Sequence, residues 1–244
     1  MPKEHGSWSL ALEPVALGLL VAPSPAGAAL GLAAIAGFFS RRPLKAVLAR
    51  QARPRSLAAA LAFMACGGIG LAATLLLGGL PALWPLVLAA PFGILFAWFD
   101  SQGDSRETAA ELAGSTAFAL LPATFATLAG WAAPAALALA GVALARSVPT
   151  IVAVRTFLRG RKQQPVKAWL PLLTALLGLG ALLALAAARQ VPWLATAGAG
   201  VLFARTVWLG SSQAPKWTAT RLGLTEAILG FGYVALAAVA YWVA

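Results

Sequence analysis

Basic residues in two clusters carry the clearest candidate chemistry in this sequence. The candidate anion-binding residues are Arg41, Arg42 and Lys45 in the first cluster, and Arg155, Arg159 and Arg161 in the second. If the backbone is helical there, Arg41/Lys45 and Arg155/Arg159 are i, i+4 pairs on one face. Guanidinium forks match phosphate oxygens and can bind a phosphate or diphosphate without a metal. Basic residues beside apolar segments also act as topology determinants, so both interpretations stay open.

Carboxylates form a second candidate cluster, comprising Asp100, Asp104 and Glu111. At this density they could hold magnesium and, through it, a substrate phosphate, or one of them could act as a base. The alternative is a helix amino terminus capped by Asp104 or Ser105, with Glu107 favoured by the helix dipole. Glu111 lies deeper than a cap requires, and a buried carboxyl in lipid is costly unless it is paired.

Isolated charges inside apolar runs are a third feature: Glu13, Arg146, Arg205 and Glu226. Charged residues within a membrane segment mark functional sites by default, although an acid of one helix can also pair with an arginine of another, and long arginines can reach the interface. His5 is a further candidate polar-site residue. It is the sole histidine, so neither a histidine-based metal site nor a Ser-His-Asp triad is predicted.

Membrane-spanning helices must position these groups, because 61% of the 244 residues are hydrophobic and only 10% are charged. A bilayer requires every backbone polar group to be bonded internally, and the apolar runs are too long for barrel strands. We therefore predict an all-α, polytopic bundle of about nine helices that forms one domain over residues 1–244. Cys66 is the single cysteine and is expected to serve packing only.

The apolar runs predict spans near residues 8–21, 27–40, 56–77, 81–99, 108–131, 133–154, 168–188, 192–209 and 222–244. Because the first two are short and joined by the rigid turn at residues 22–25, a re-entrant hairpin is the alternative there. With nine spans, all of the 18 Lys and Arg residues except Arg189 lie on the same side of the membrane. The positive-inside rule then places the amino terminus in the cytoplasm and the carboxyl terminus outside.

The charge balance of +11 is adjacent to the membrane and accompanies no nucleic-acid module. The expected partners are therefore the lipid bilayer and its anionic headgroups, not nucleic acid.

Three segments carry a resemblance to a known family: residues 2–8 (PKEHGSW), 38–44 (FFSRRPL) and 111–114 (ELAG). On these the chain resembles the YwiC-like bacterial membrane proteins, which implies a multi-pass protein of the bacterial cell membrane. More distantly, the helix count and residues 111–122 and 157–159 resemble the UbiA superfamily of intramembrane prenyltransferases. That resemblance implies a UbiA-like bundle, an isoprenoid ligand and magnesium held by Asp-rich loops.

The sequence departs from the UbiA pattern, because Arg41-Arg42 and Arg155–Lys162 stand where UbiA enzymes have their Asp-rich motifs. Three functional hypotheses follow. The first is a UbiA-like protein that binds a lipid-linked phosphate or other anion at its cytoplasmic face, with group transfer as its reaction if it is an enzyme. The second is a small-solute transporter that uses the isolated charges, for which an inverted repeat would be expected. The third is a non-catalytic assembly partner.

Overall fold

The computed structural model describes residues 7–48, 54–105, 107–211, 214 and 217–244, and its secondary structure over these residues is helical throughout. The predicted all-α fold is thereby confirmed. The α-helices are α1 (Ser7–Val21), α2 (Pro25–Leu48), α3 (Pro54–Gly78), α4 (Pro85–Gln102), α5 (Thr108–Ala119), α6 (Leu121–Leu128), α7 (Ala133–Arg161), α8 (Trp169–Ala187), α9 (Trp193–Leu209) and α10 (Ala219–Trp242), with a short 3-10 helix at Leu80–Leu83.

Six of the described helical segments are long and apolar enough to cross a membrane, which confirms a multi-pass membrane protein. One of them, Thr108–Leu128, combines α5 and α6, which are separated only by Leu120, with Pro122 at the start of α6. The predicted span at 108–131 corresponds to this pair.

Two more apolar helices, α1 and α9, are shorter. With 15 residues, α1 is about 22 Å long, so the re-entrant alternative for α1 and α2 stays open.

Two helices continue past the ends predicted for their spans, and both extensions carry the basic clusters. The second span was expected to end at residue 40, but α2 runs to Leu48. The sixth was expected to end at residue 154, but α7 runs to Arg161. Arg and Lys favour helix and their long side chains can reach water from a helix end, so charge does not stop the helix. The predicted i, i+4 pairs therefore do lie on helical backbone.

The central helix is α7, with 67% of its most apolar stretch buried, whereas the corresponding figures for α3 and α8 are 17% and 22%. Around α7, the core is built largely from alanines of α6, α7, α9 and α10. Small side chains let helices approach closely in a membrane, where lipid supplies no hydrophobic force between them. The outer faces of α3 and α8 present leucines such as Leu76 and Leu177, as expected for surfaces against lipid.

Candidate functional site

Arg41 of α2 is held by two groups of α4. Its Nε donates to Asp100 Oδ2 at 3.0 Å and its Nη2 to Asp100 Oδ1 at 2.8 Å. The guanidinium also lies 4.6 Å from the centre of the Phe96 ring, within the range of a cation–π interaction. Lys45, one turn further along α2, donates from Nζ to the Asp100 carbonyl at 2.8 Å. The first basic cluster is thus joined to the end of α4.

Arg155 of α7 makes the equivalent pair with Glu111 of α5. Its Nε donates to Glu111 Oε2 at 2.7 Å, and its Nη2 contacts Oε1. Glu111 is therefore paired, and its partner is Arg155. Each bidentate pair engages two N–H groups of a guanidinium and thereby orients the arginine. We call Arg41–Asp100 and Arg155–Glu111 the rim pairs.

The rim pairs stand at the entrance to a cavity of about 460 Å³. This volume is in the range typical of small-molecule sites. Arg41, Arg155 and Glu111 belong to its lining, and they mark the basic end of the bundle. The walls are mainly apolar and include the rings of Phe38, Phe96 and Phe118.

The inner end of the cavity is polar. Three polar residues line it there: Ser9 of α1, Thr150 of α7 and Glu226 of α10. Ser9, Thr150 and Glu226 are each only 4% exposed. The cavity therefore has charged groups at its entrance, aromatic and aliphatic walls, and a polar floor.

Behind this floor the four isolated charges of the sequence meet, and we call Glu13, Arg146, Arg205 and Glu226 the buried quartet. Arg146 Nε lies 3.3 Å from Glu13 Oε2, and its Nη1 lies 3.5 Å from Glu226 Oε2. Arg205 pairs with the other Glu226 oxygen. Two acids and two arginines balance, which reduces the cost of burying them. The interhelical pairing that was one of the two expectations for these residues is therefore present.

Further hydrogen bonds fix the centre of the quartet. Arg146 Nη2 donates to the Glu226 carbonyl at 2.6 Å, and Nη1 donates to Thr150 Oγ1. Gly230 of α10 lies against the Glu13 carboxylate, where an added Cβ would overlap the carboxylate oxygens. Four helices, α1, α7, α9 and α10, are held together at this point.

The structure separates the predicted site residues into groups. Arg41, Glu111, Arg155 and Glu226 line the cavity, whereas Arg42, Lys45, Asp100, Asp104, Arg159 and Arg161 do not. Arg159 donates to Thr108 Oγ1 at 3.3 Å, and Arg161 donates to the Trp217 carbonyl, so both bind other segments of the basic end. His5 lies outside the described residues.

The structure bears on two expectations for the acidic cluster. The prediction that Asp104 or Ser105 caps α5 was wrong. The N-cap position of α5 is occupied by Glu107, and no side chain makes a capping hydrogen bond there. Among the described residues no three His, Cys, Asp or Glu side chains are grouped to hold a metal. Asp100 and Glu111 instead bind guanidinium groups, because α2 and α7 bring an arginine to each of them.

Several lining residues were not singled out by sequence reasoning. Phe38 and Phe118 fall in the segments that carry the family resemblances, but nothing in their type indicates a cavity wall. Thr150 follows Arg146 by four residues, so an i, i+4 reading of α7 could have placed its hydroxyl beside that arginine. Phe96 has no local signal, because its role depends on the position of α4 beside α2.

Comparison with known proteins gives one family. The family model described as YwiC-like protein matches residues 1–126, slightly more than half of the chain. This range includes the rim residues Arg41, Asp100 and Glu111 and the quartet residue Glu13. No curated protein and no solved structure matches the chain.

Proposed function

The chain belongs to the YwiC-like family, and we propose that this membrane protein binds an anionic amphiphile in the cavity between α1, α2, α4, α5, α7 and α10. One observation carries the proposal: a cavity of about 460 Å³ has apolar walls and two arginines in its lining. Such a cavity suits a molecule with a phosphate or similar anion at one end and an apolar body. We further propose that residues 1–244 form a single domain, because α1 packs on both α2 and α10.

The rim supports anion binding through the orientation of its arginines. Each guanidinium is held by a carboxylate through two of its N–H groups, which leaves it little freedom to lose when an anion binds. The surrounding end of the bundle is strongly basic, with Arg42, Arg159 and Arg161 close by in sequence. A surplus of positive charge raises the local concentration of anions and steers them toward the entrance.

The orientation of the protein in the membrane determines which leaflet the cavity faces. If the basic end faces the cytoplasm, as the positive-inside rule predicts, the cavity opens toward the cytoplasmic leaflet and its anionic headgroups. Location in the bacterial cell membrane, an isoprenoid ligand, a UbiA-like arrangement and magnesium dependence remain predictions. Group transfer is the reaction that we would test first, although Asp100 and Glu111 are engaged with arginines and Asp104 does not line the cavity.

The test is a binding measurement on purified, lipid-reconstituted protein with geranyl phosphate, geranyl diphosphate and inorganic phosphate, each with magnesium and with EDTA. The variant Arg41→Gln/Arg155→Gln removes both rim arginines. The matched control, Arg42→Gln/Arg159→Gln, removes the same charge from the same two helices, away from the cavity lining. Because charge-assisted hydrogen bonds are worth about 1.5–3 kcal/mol each, we expect at least about tenfold weaker binding in the rim variant.

The control variant should bind within about twofold of the wild type, and protease accessibility should show that both variants insert in the same orientation. Equal binding by the rim variant and the control would contradict the proposal. In that case the arginines would act only as topology determinants.

A transporter is a second candidate function, and the buried quartet is the observation that favours it. Glu226 belongs to the quartet and also lines the cavity, so a solute in the cavity would lie beside a buried charge network. Paired charges inside a membrane often mark solute or ion pathways. Uptake of the bound anion into proteoliposomes, lost in the rim variant but kept in the control variant, would support it. Binding without uptake would contradict it.

A further inference from the structure

Ser115 is a polar residue in the wall that α5 contributes to the cavity. The lining residues of α5 are Glu111, Gly114, Ser115 and Phe118, at the i, i+3, i+4 and i+7 spacing of one helix face. Four residues of helix correspond to about 6 Å, so Ser115 lies one turn inward from Glu111, which binds Arg155 at the rim. Ser115 is therefore the first polar side chain that a ligand meets on α5 beyond the rim.

The hydroxyl of Ser115 has no hydrogen-bonding partner within the described residues. Thr206 and Thr225 differ from it, because each donates to the backbone carbonyl four residues earlier, at 2.9 Å and 3.0 Å. Such local bonds are a common arrangement for a hydroxyl inside a helix. Ser115 is half-buried and its donor and acceptor are both unused. A ligand that covered it with carbon atoms alone would leave a polar group unpaired.

Phe96 of α4 connects this turn of α5 to the other rim arginine. The centre of its ring lies 4.6 Å from the Arg41 guanidinium. An added Cβ on Gly114 would lie 2.9 Å from the same ring, so the backbone next to Ser115 packs directly on Phe96. Arg41 is thus separated from the turn that carries Ser115 by about the width of one aromatic ring. A single ligand can therefore contact both rim arginines and Ser115.

We infer that Ser115 binds a polar group that directly follows the anion in the ligand, such as a hydroxyl or an ester oxygen next to the phosphate. This inference rests on the proposed function, in which the anion binds Arg41 and Arg155. An ester oxygen would accept a hydrogen bond from the serine hydroxyl, and a ligand hydroxyl would either accept from it or donate to it. The ligand is then the phosphate ester of a glycerol-like diol that carries a hydrocarbon chain.

The order of groups along the cavity matches the order of groups in such a ligand. From the basic end inward, the lining presents the rim arginines, then Ser115, then apolar side chains such as Phe118 and Ile151. In a 2-hydroxyalkyl phosphate, only the ester oxygen and two carbons separate the phosphorus from the hydroxyl, and the hydrocarbon follows. A plain alkyl or isoprenyl phosphate would bind the rim but leave the Ser115 hydroxyl unpaired.

Three ligands test the inference on the wild-type protein in lipid: hexyl phosphate, 2-hydroxyhexyl phosphate and 6-hydroxyhexyl phosphate. The two hydroxy compounds are isomers, so they differ only in where the hydroxyl lies. We expect the tighter-binding enantiomer of the 2-hydroxy compound to bind about three- to tenfold more tightly than hexyl phosphate, the effect of one neutral hydrogen bond. The 6-hydroxy compound should bind no more tightly than hexyl phosphate.

Two variants of α5 locate the effect. Ser115→Ala should reduce the preference for the 2-hydroxy compound to within about twofold and leave the affinity for hexyl phosphate unchanged. The matched control is Thr116→Ala, at the next residue of the same helix but outside the cavity lining, and it should keep the full preference. If Ser115→Ala failed to fold, as judged by thermal unfolding in detergent, the comparison of the three ligands on the wild type would still decide.

The possible failures are distinguishable. Equal binding of the three phosphates, or tightest binding of the 6-hydroxy isomer, would overturn the Ser115 subsite while leaving the proposed function intact. If Ser115→Ala weakened hexyl phosphate as much as the 2-hydroxy compound, Ser115 would contact the anion itself, and the assignment of the linking group would be wrong. If neither these ligands nor the geranyl phosphates bound, the proposed function would fail, and the subsite with it.

Discussion

The rim pairs and the buried quartet are built from the same residue types but lie in different surroundings. At the rim, the side chains of Arg155 and Glu111 are 25% and 35% exposed. In the quartet, the side chains of Arg146 and Glu13 are each 2% exposed. Charge pairs that reach water gain little stability and respond to solutes, whereas buried pairs strongly resist the loss of one member. This difference fits the proposal that the rim binds an anion, while the quartet holds the helices together.

Removing the centre of the quartet should have the largest effect. In Arg146→Met, Glu13 would lose its arginine partner and Glu226 would keep only Arg205. The Glu226 carbonyl would also lose the Arg146 donor. Loss of one partner from a buried pair costs about 3–5 kcal/mol, so we expect a fall of that size in the free energy of unfolding, measured by denaturant titration in detergent. Adding Glu13→Gln restores charge balance and should recover part of the loss. If the free energy of unfolding fell by less than about 1 kcal/mol, the quartet would contribute no more to stability than an exposed salt bridge does.

Gly230 tests how tightly the quartet is packed. In Gly230→Ala, the new methyl group would overlap the Glu13 carboxylate, and overpacking typically costs about 1–3 kcal/mol. The matched control is Gly232→Ala on the same helix, where an added Cβ meets no atom within 4 Å. Because alanine favours helix more than glycine does, the control should be neutral or slightly stabilising. Equal unfolding temperatures for the two variants would show that Glu13 can move aside freely.

The effect of salt on stability should distinguish the rim pairs from the buried quartet. In Glu111→Gln, we expect a loss of stability of about 1 kcal/mol or less, since the pair is partly exposed. That loss should shrink at high ionic strength, because salt screens exposed charges. The loss in Arg146→Met should change little over the same range. Thermal unfolding of both variants at low and high salt measures these losses. If salt reduced both losses equally, the distinction between exposed rim pairs and a buried quartet would be contradicted.

Arg42 should show the smallest effect. It is exposed and does not line the cavity, although it neighbours Arg41. Exposed substitutions usually change stability by less than about 0.5 kcal/mol, and we expect that for Arg42→Gln, together with unchanged binding of geranyl phosphate. If Arg42→Gln weakened binding as much as Arg41→Gln, the anion would depend on the charge of the basic end as a whole.

The sequence predicted the helices well because the bilayer leaves few choices. A long apolar run must be helical. Over the part of the chain that the structure describes, the predicted spans and the observed helices therefore agree in number and order once α5 and α6 are taken together. Helix ends were harder to predict. The predicted spans end at residues 40 and 154, but α2 and α7 continue through Arg41 and Arg155. A helix can extend beyond its apolar run because long basic side chains reach water from its end.

The sequence by itself determined that this chain is an all-α membrane protein, that its basic residues cluster beside apolar segments, and that Glu13, Arg146, Arg205 and Glu226 lie within apolar runs. Only the tertiary structure decided which acid meets which arginine. Glu13 and Arg146 are 133 residues apart in sequence, and their contact depends on how α1 and α7 are rotated and packed. That packing results from many small side chains acting together, and no local pattern of residues records it.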